Sequence, residues 1–429
     1  MAHWFHRNPL KASKTQDFDG LKKIAKTPPA AKICGDLRVY RVKALQQLQD
    51  PRNAVEHVEK TVNEYLSLFW GLLEDVKGPV KEGESAPSTS ASGEAKLQKI
   101  ETFKWSHSIC GNTAIAVPDA NYELASVLTE LALWYTKRAS YLSSNENLSD
   151  EEAKEVFKSL RQAAGIFMQA KNICESKLGT GLVEKHSDAD PRVLDAYHLQ
   201  CLAEAQEVTV ARAVELKHKS TTITAVALGT SSLFSKADDS LRSIDAAKSG
   251  KWRRYLQIKK NIYLAYAHSF KGETLLAEDQ CGNAIRSLQE ADKCYKLAGQ
   301  LCKEYASTKG PGNSARPDAH QFFRRLGPIV HQRLEKATHE NGFIYHQKVP
   351  EETPELETTE IGIASPVEFA LPSHNPRWKP EIFAAFDAGK AQSQMTGKDK
   401  EDNEKIEPVK EIDDPNSAGN KNETGCVIS

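Results

Sequence analysis

Residues 252–305 read WRRYLQIKKNIYLAYAHSFKGETLLAEDQCGNAIRSLQEADKCYKLAGQLCKEY, and this stretch decides the fold class. In its second half, apolar and small side chains recur every three or four residues, the period that places them on one face of an α-helix. These residues are Ile285, Leu288, Ala291, Tyr295, Ala298 and Cys302. In its first half, small residues (Ala265, Ala267 and Gly272) precede a turn near residues 280–282. Small residues let two helix backbones approach closely, so the stretch predicts two antiparallel helices.

The helical pattern continues on both sides of this pair. We predict helices over residues 37–48, 54–76, 122–142, 195–219, 223–247 and 319–339. A further helix is predicted to begin at Ser149, because Ser149 and Glu152 have the spacing of a capping box. A repeat of about 34 residues, the tetratricopeptide length, is absent, so the pattern favours an irregular helical array with a tetratricopeptide-like core over a regular solenoid. Spacing alone supports the core of an ordinary helical bundle equally well.

Four segments lack a helical pattern. Residues 100–105 and 113–117 flank a turn and predict a β-hairpin. Residues 77–95 are rich in Pro, Gly and Ser and predict an exposed loop. Residues 350–380 are rich in Pro and predict an extended strap across the helical body. We therefore expect one domain over residues 1–390, followed by a charged, disordered tail over residues 391–429.

The composition argues against several classes of protein. The 429 residues include 57 Lys and Arg against 58 Asp and Glu, and this balance argues against a nucleic-acid partner bound through bulk charge. No run of apolar residues approaches the roughly 20 that a membrane-spanning helix needs. The first residues lack the apolar core of a signal peptide, so we expect a cytosolic protein whose cysteines are reduced thiols.

The sequence contains no recognisable catalytic or metal-binding motif. It lacks a phosphate-binding loop, a His-Glu-x-x-His motif, a Gly-x-Ser-x-Gly motif and a Gly-x-Gly-x-x-Gly motif. Acidic pairs such as Asp238 and Asp239 are typical of solvated helix faces. The basic residues around Trp252 predict an exposed helix start anchored by that tryptophan, with contact to phosphate or anionic lipid as the alternative. We therefore expect a protein that is not an enzyme and has neither metal nor cofactor.

The last four residues form a motif with a specific chemical meaning. Cys426, Val427, Ile428 and Ser429 have the spacing of a Cys-a-a-X prenylation signal, and the final serine favours a farnesyl group. We expect a prenyltransferase to attach that lipid to the Cys426 thiol. A single lipid chain binds a membrane only marginally, so a protein partner should share the targeting. A chance match at an unmodified terminus is the alternative.

Several segments resemble signatures of the Bro domain family. They are residues 3–11 (HWFHRNPLK), 132–137 (ALWYTK), 203–208 (AEAQEV), 263–268 (YLAYAH), 272–277 (GETLLA), 284–291 (AIRSLQEA) and 340–350 (ENGFIYHQKVP). The resemblance implies a mainly α, boomerang-shaped helical array with a tetratricopeptide-like core and a small β-sheet. It also implies a concave groove that binds the C-terminal amphipathic helix of ESCRT-III subunits, the charged multivesicular body proteins.

The family's groove contacts are placed on this chain by anchoring on residues 203–208. The resemblance then implies apolar contacts at Thr209, Thr222 and Val226, with Ile223 adjacent, and an acidic contact at Glu151. Thr209 and Thr222 depart from the family pattern, since relatives have larger apolar residues there. A buried threonine hydroxyl is unfavourable unless it is hydrogen-bonded, so this departure should weaken binding. For Val226, a position in the hydrophobic core is the alternative.

These observations together predict a non-enzymatic, farnesylated adaptor that binds ESCRT-III subunits at membranes, in ESCRT-linked membrane remodelling or sorting. The alternative is a helical scaffold whose concave face binds a different partner helix. We expect a monomer in the cytosol that associates peripherally with membranes, with endosomal and nuclear-envelope membranes as candidates. Its expected partners are ESCRT-III subunits, the prenyltransferase and the membrane, and the only expected attached group is the farnesyl lipid on Cys426.

Overall fold

The computed structural model describes residues 4–76, 94–144, 149–179, 181, 187–312, 315–357, 364–389 and 405–411. Two strands, β1 (Phe103–His107) and β2 (Gly111–Val117), lie between the third and fourth helices. The helices, in chain order, are α1 (Asp19–Ile24), α2 (Pro28–Leu48), α3 (Val55–Phe69), α4 (Ala120–Leu142), α5 (Asp150–Lys177), α6 (Pro191–Glu215), α7 (Ser220–Ser240), α8 (Ala246–Ala277), α9 (Cys281–Ser307), α10 (Gln321–Arg324), α11 (Leu326–Glu340) and α12 (Pro380–Ala384). The predicted mainly α fold with a small β-hairpin is confirmed.

The long helices α4 to α9 form the body of the fold. Each of them packs against the next one in the chain, which is the arrangement of an irregular helical array. The pair α8 and α9 shows why a small residue is needed between helices: a Cβ atom added to Gly272 of α8 would lie 2.6 Å from Cγ of Leu288 in α9. The helix pair predicted over residues 252–305 is therefore confirmed.

Several helix boundaries differ from the predicted ones, among them the start of α2 and the segment of residues 319–339. The helix predicted from residue 37 begins at Pro28, because proline suits the first turn of a helix, where its missing N–H would have no partner. The segment predicted as one helix over residues 319–339 forms two helices, α10 and α11, which meet at Arg325. The capping box predicted before α5 is present: the Ser149 hydroxyl accepts from the Glu152 N–H, and the Glu152 carboxylate accepts from the Ser149 N–H.

The predicted β-hairpin is present, and the chain pairs with both of its outer edges. Phe103 of β1 lies opposite Val117 of β2 in an antiparallel register. On the other side of β1, the Ser106 N–H donates to the Ala12 carbonyl at 2.8 Å. On the side of β2 that β1 leaves free, the Ile406 N–H donates to a β2 carbonyl. Segments near the two ends of the chain thus extend the hairpin.

Residues 4–11 lie inside the helical body, where they pair with the acidic residues of the 203–208 motif. The Arg7 guanidinium donates to both carboxylate oxygens of Glu204, at 2.8 and 2.7 Å, and both side chains are buried. The Trp4 indole N–H donates to Glu207. A buried carboxylate is costly unless it is paired and hydrogen-bonded, so the N-terminal segment is an integral part of this core.

The basic residues around Trp252 differ from the prediction. The helix α8 begins at Ala246, so Trp252 lies inside it and not at its start, and its side chain is buried. Arg253 donates to Asp238 of α7 at 2.7 Å, which also corrects the fully solvated face expected at Asp238. Lys259 is buried in an ion pair with Glu207. Arg253 and Lys259 are therefore paired with acids of neighbouring helices, which argues against the phosphate-binding alternative for these two residues.

The chain after α11 contacts three of the helices in the reverse of their order in the chain. Three hydrogen bonds mark this strap: Ala364 N–H to the Gln206 side chain of α6, Val367 N–H to the Arg161 carbonyl of α5, and the Trp378 indole N–H to the Leu68 carbonyl of α3. The strap therefore links distant parts of the array.

Two segments with a predicted disordered or exposed character lie largely outside the described residues. These are most of the predicted loop over residues 77–95 and most of the tail over residues 391–429. Residues 405–411 are described, and they contact the body of the protein, so the expectation of a solvated tail is wrong for them. Among the described helices, none is long and apolar enough to cross a membrane.

Candidate partner-binding surface

The predicted contact residues lie where α5 begins, α6 ends and α7 begins. Consecutive helices of the array pack side by side, which brings these three helix ends together. Asp150 at the start of α5 and Arg212 near the end of α6 form an ion pair at 2.8 Å. We call Asp150, Glu151, Thr209, Arg212 and Thr222 the α5–α7 surface.

Thr209 lies on the side of α6 that faces the strap and the start of α5. Gln206, Thr209 and Arg212 follow one another at three-residue steps, so they share one side of the helix. The Gln206 side chain accepts the Ala364 N–H of the strap at 2.8 Å, and Arg212 pairs with Asp150. Thr209 is half-buried between these two contacts. Part of the Thr209 surface is therefore accessible to a partner.

Thr222 is also half-buried, in the first turn of α7. The neighbouring Thr224 shows what a threonine hydroxyl does in this helix: it donates to the Ser220 carbonyl one turn earlier, at 2.8 Å. A hydroxyl bonded in this way loses less when a partner covers it. For Thr222 the residue one turn earlier is His218, which precedes the helix, so the predicted penalty for threonine at this contact position stays a prediction.

Val226 and Ile223 have little surface to offer a partner. Val226 is 3% exposed and belongs to the main hydrophobic core, and Ile223 is 2% exposed and packs with Ala213 and Phe270. The family resemblance implied that they contact the partner, but both side chains pack against the neighbouring helices. The burial of Val226 favours the core interpretation. Val226 and Ile223 lie beneath the α5–α7 surface.

Glu151 points into solvent, and a neighbouring acid makes the contact between helices. The Glu151 side chain is 83% exposed and pairs with Lys154 on its own helix at 2.8 Å. Asp150 reaches Arg212 of α6 instead. Sequence reasoning missed Asp150 and Arg212, because three consecutive acids begin α5 and successive helical residues point about 100° apart. The acid run was the available signal, but it could not tell which acid faces α6.

A second charged group borders the surface at the end of α8. Glu273 accepts from Arg333 of α11 at 2.8 Å and from the Ser220 hydroxyl at the start of α7 at 3.0 Å. The Arg333 guanidinium lies over the Phe270 ring, 4.3 Å from its centroid. Burial lowers the pKa of Arg333 from its ordinary value. Paired charges of both signs thus surround the threonines, which suits a partner helix with mixed charges.

The described cysteines give no sign of a reactive thiol, and Cys426 lies outside the described residues. Burial raises the pKa of Cys34, Cys174 and Cys302 to about 12 and that of Cys294 to about 11, so these thiols stay protonated at neutral pH. Within the described part of the chain, no three His, Cys, Asp or Glu side chains are placed to hold a metal ion.

Comparison with known proteins decides the family. The family described as BRO1-like domain matches residues 93–388. The chain belongs to the BRO1 domain family. It is 45% identical over 429 residues to "BRO1 domain-containing protein BROX" of Danio rerio, which covers 100% of both chains. It is 46% identical over 391 residues to the protein of that name from Homo sapiens, covering 91% of this chain and 92% of the relative.

More distant proteins are similar to this chain in sequence or in fold. "Programmed cell death 6-interacting protein" of Xenopus laevis is 26% identical over 242 residues, which are 56% of this chain and 25% of that protein. The solved "ALIX BRO1 CHMP4C complex" superposes with a TM-score of 0.64 at 20% identity, covering 87% of this chain and 98% of the other. A Bro1 domain structure described as a basis for endosomal targeting has a TM-score of 0.60 at 18% identity, covering 92% and 98% of the two chains.

Proposed function

We propose that this protein is a non-enzymatic adaptor whose α5–α7 surface binds the C-terminal amphipathic helix of an ESCRT-III subunit. The observation that carries the proposal is the fold shared with a BRO1 domain solved in complex with CHMP4C. The close similarity to BROX proteins over the whole chain supports it. The proposed activity is binding without catalysis. Binding recruits ESCRT-III subunits to the membrane where this protein resides.

The surface suits helix recognition with modest affinity. In such recognition, apolar side chains of the partner enter a shallow apolar patch while charges at the rim fix its orientation. Here the patch contains the half-buried Thr209 and Thr222, and the rim contains the pair Asp150 and Arg212. Threonine offers less apolar area than leucine or isoleucine, so we expect larger apolar residues at these positions to strengthen binding.

The test is a titration of a fluorescent ESCRT-III C-terminal helix peptide against the full chain. Thr222→Asp places a charge under the docked helix and should weaken binding about 10- to 30-fold, or roughly 1.4 to 2 kcal/mol. Thr221→Asp is the matched control, because Thr221 is exposed and lies next to Thr222 in the same helical turn. An acid in the first turn of a helix is favourable, so neither variant should unfold the protein.

Two results would contradict the proposed surface. One is equal affinity of Thr222→Asp and wild type, and the other is equal loss in Thr222→Asp and the control. A chain that prefers unrelated amphipathic helices over the ESCRT-III peptide would favour the alternative of a scaffold for a different partner.

We also propose that a farnesyl group on Cys426 attaches the protein to membranes, with a cytosolic prenyltransferase as a transient partner. The support is the Cys-Val-Ile-Ser sequence of residues 426–429. Cys426→Ser should abolish isoprenoid attachment, measured by mass spectrometry, and move the protein from the membrane fraction to the cytosol. Ser429→Leu should keep a lipid but change it to geranylgeranyl. Absence of any isoprenoid on the wild-type protein would contradict this proposal.

A further inference from the structure

Residues 405–411 pair with the free edge of the β-hairpin. The Ile406 N–H donates to the Asn112 carbonyl of β2 at 2.9 Å, and Lys405 forms an antiparallel bridge with Thr113. Backbone pairing of this kind is the way in which an extended segment adds to an exposed strand. It fixes the register of the segment, because each paired residue of the segment lies opposite a particular residue of β2.

The other end of the segment is held by charge. One carboxylate oxygen of Glu411 accepts the Leu10 N–H, and the other accepts from the Lys137 ammonium of α4, both at 2.5 Å. The Lys137 side chain is 8% exposed, so this ion pair lies largely away from water. Both oxygens of Glu411 are therefore used by the body of the protein, which makes the contact specific for a carboxylate at this position.

The side chains of the segment divide into an inner and an outer set. Ile406, Val409 and Glu411 are half-buried, and Val409 packs against the hydrophobic core. The remaining residues of the segment are exposed: Lys405, Glu407, Pro408 and Lys410. A segment without a docking site would show no such division.

We propose that residues 405–411 are a docking segment, which attaches the C-terminal tail to the free edge of β2 and to Lys137. The segment sets the point from which the final residues leave the protein. Cys426 is 15 residues after Glu411 (426 − 411), which limits its reach from the docked segment to about 54 Å. Without docking, the attachment point would be Gly389, 37 residues before Cys426 (426 − 389), and the upper limit of the reach would be about 130 Å.

Docking therefore controls the distance and orientation of the body relative to anything attached to Cys426. With the lipid of the proposed function in place, docking would hold the hairpin side of the protein toward the membrane, and release would lengthen the tether. This consequence rests on the proposed function, whereas the docking itself does not.

Hydrogen exchange of the full chain without lipid tests the docking. The Ile406 amide should exchange at least tenfold more slowly than in an unstructured peptide of the same sequence. Glu411→Lys and Val409→Asp should remove that protection. Glu407→Lys is the matched control, since it makes the same charge change at an exposed position of the same segment, and it should keep the protection.

A second measurement uses a carbodiimide, which joins an amine to a carboxylate only when the two are in contact. Mass spectrometry should find a Lys137–Glu411 cross-link in wild type and in Glu407→Lys, and should not find it in Val409→Asp. Unchanged thermal melting of each variant would show that the body remains folded. Exchange of Ile406 at the unstructured rate in wild type, or equal effects of the two lysine substitutions, would overturn the proposal.

The membrane consequence is tested separately. Farnesylated wild type and farnesylated Glu411→Lys should bind vesicles equally, but energy transfer from a donor dye on the body to a lipid dye should be weaker for Glu411→Lys. Equal transfer would refute tether control. If no farnesyl group can be attached, the proposed anchoring fails while the exchange and cross-linking results stand.

Discussion

Replacing Lys259 by methionine should destabilise the protein more than any exposed charge substitution. Lys259 and Glu207 are both 0% exposed, and their Nζ and Oε1 atoms lie 2.8 Å apart. Burial lowers the pKa of Lys259 and raises the pKa of Glu207, while each charge partly offsets the effect on the other. Methionine keeps most of the volume but removes the charged partner of Glu207, which is left as a buried carboxylate with the neutral donors Trp4 and Tyr263.

The expected loss is about 3 to 5 kcal/mol, the usual effect of removing one partner of a buried ion pair. It is a large part of the roughly 5 to 15 kcal/mol that stabilises a typical folded protein. Urea unfolding at pH 7, followed by far-ultraviolet circular dichroism, measures it. Lys260→Met is the matched control, since Lys260 is the half-buried next residue, and its effect should stay within about 0.5 kcal/mol.

The pH dependence tests whether the carboxylate of Glu207, without its lysine partner, causes the loss of stability. In Lys259→Met, the folded-state pKa of Glu207 lies above its ordinary value of 4.5, so the protonated form is favoured in the folded protein. Relative to wild type, the variant should therefore be most stable below pH 4.5. It should lose stability as the pH rises through the raised pKa of Glu207. Adding Glu207→Gln should recover part of the loss at pH 7. A loss below about 1 kcal/mol, or one equal to that of Lys260→Met, would refute the reasoning.

Three further predictions concern the core. Val226→Ala should lower the free energy of unfolding by about 1 to 3 kcal/mol in urea titrations, because Val226 is 3% exposed. An unchanged free energy of unfolding would favour a surface position for Val226. Gly272→Ala should destabilise by about 1 to 3 kcal/mol since its Cβ would meet Leu288, whereas Gly229→Ala, with open space around its Cβ, should stabilise by up to about 1 kcal/mol. Burial raises the pKa of Glu130 to about 8, so wild-type stability should fall between pH 4.5 and pH 8 by an amount that Glu130→Gln abolishes.

Local features of the fold could be predicted from the sequence because they depend on nearby residues. The capping box at Ser149 and Glu152 needs only a three-residue spacing, and the helix pair of residues 252–305 needs only a period. The start of α2 was missed although its signal, two prolines at the first helical positions, was in the sequence. Each of these features is decided within one or two helical turns.

The orientation of individual side chains could not be predicted, because it depends on which distant element packs against each face. The resemblance implied a partner contact at Val226 and an apolar helix allowed a core position, because a buried face and a partner-binding face have the same pattern. The same limit hid the role of the 203–208 motif. Its two glutamates look like surface residues of a helix, yet both are 0% exposed, because residues 4–11 and Lys259 supply their partners.

Segments near both ends of the chain pair with the hairpin, so the folding unit is larger than the hairpin and the helices that follow it. An open edge of a β-hairpin exposes unpaired backbone groups, and here residues 12–13 cover β1 while residues 405–406 cover β2. The BRO1-like match, residues 93–388, contains neither cover. A fragment with those bounds would also lack Arg7 and Trp4, so it would leave Glu204 and Glu207 without two of their partners in a dry core. The unit that folds stably therefore extends beyond the BRO1-like match at least to the N-terminal segment, since Arg7 of that segment makes the buried ion pair with Glu204.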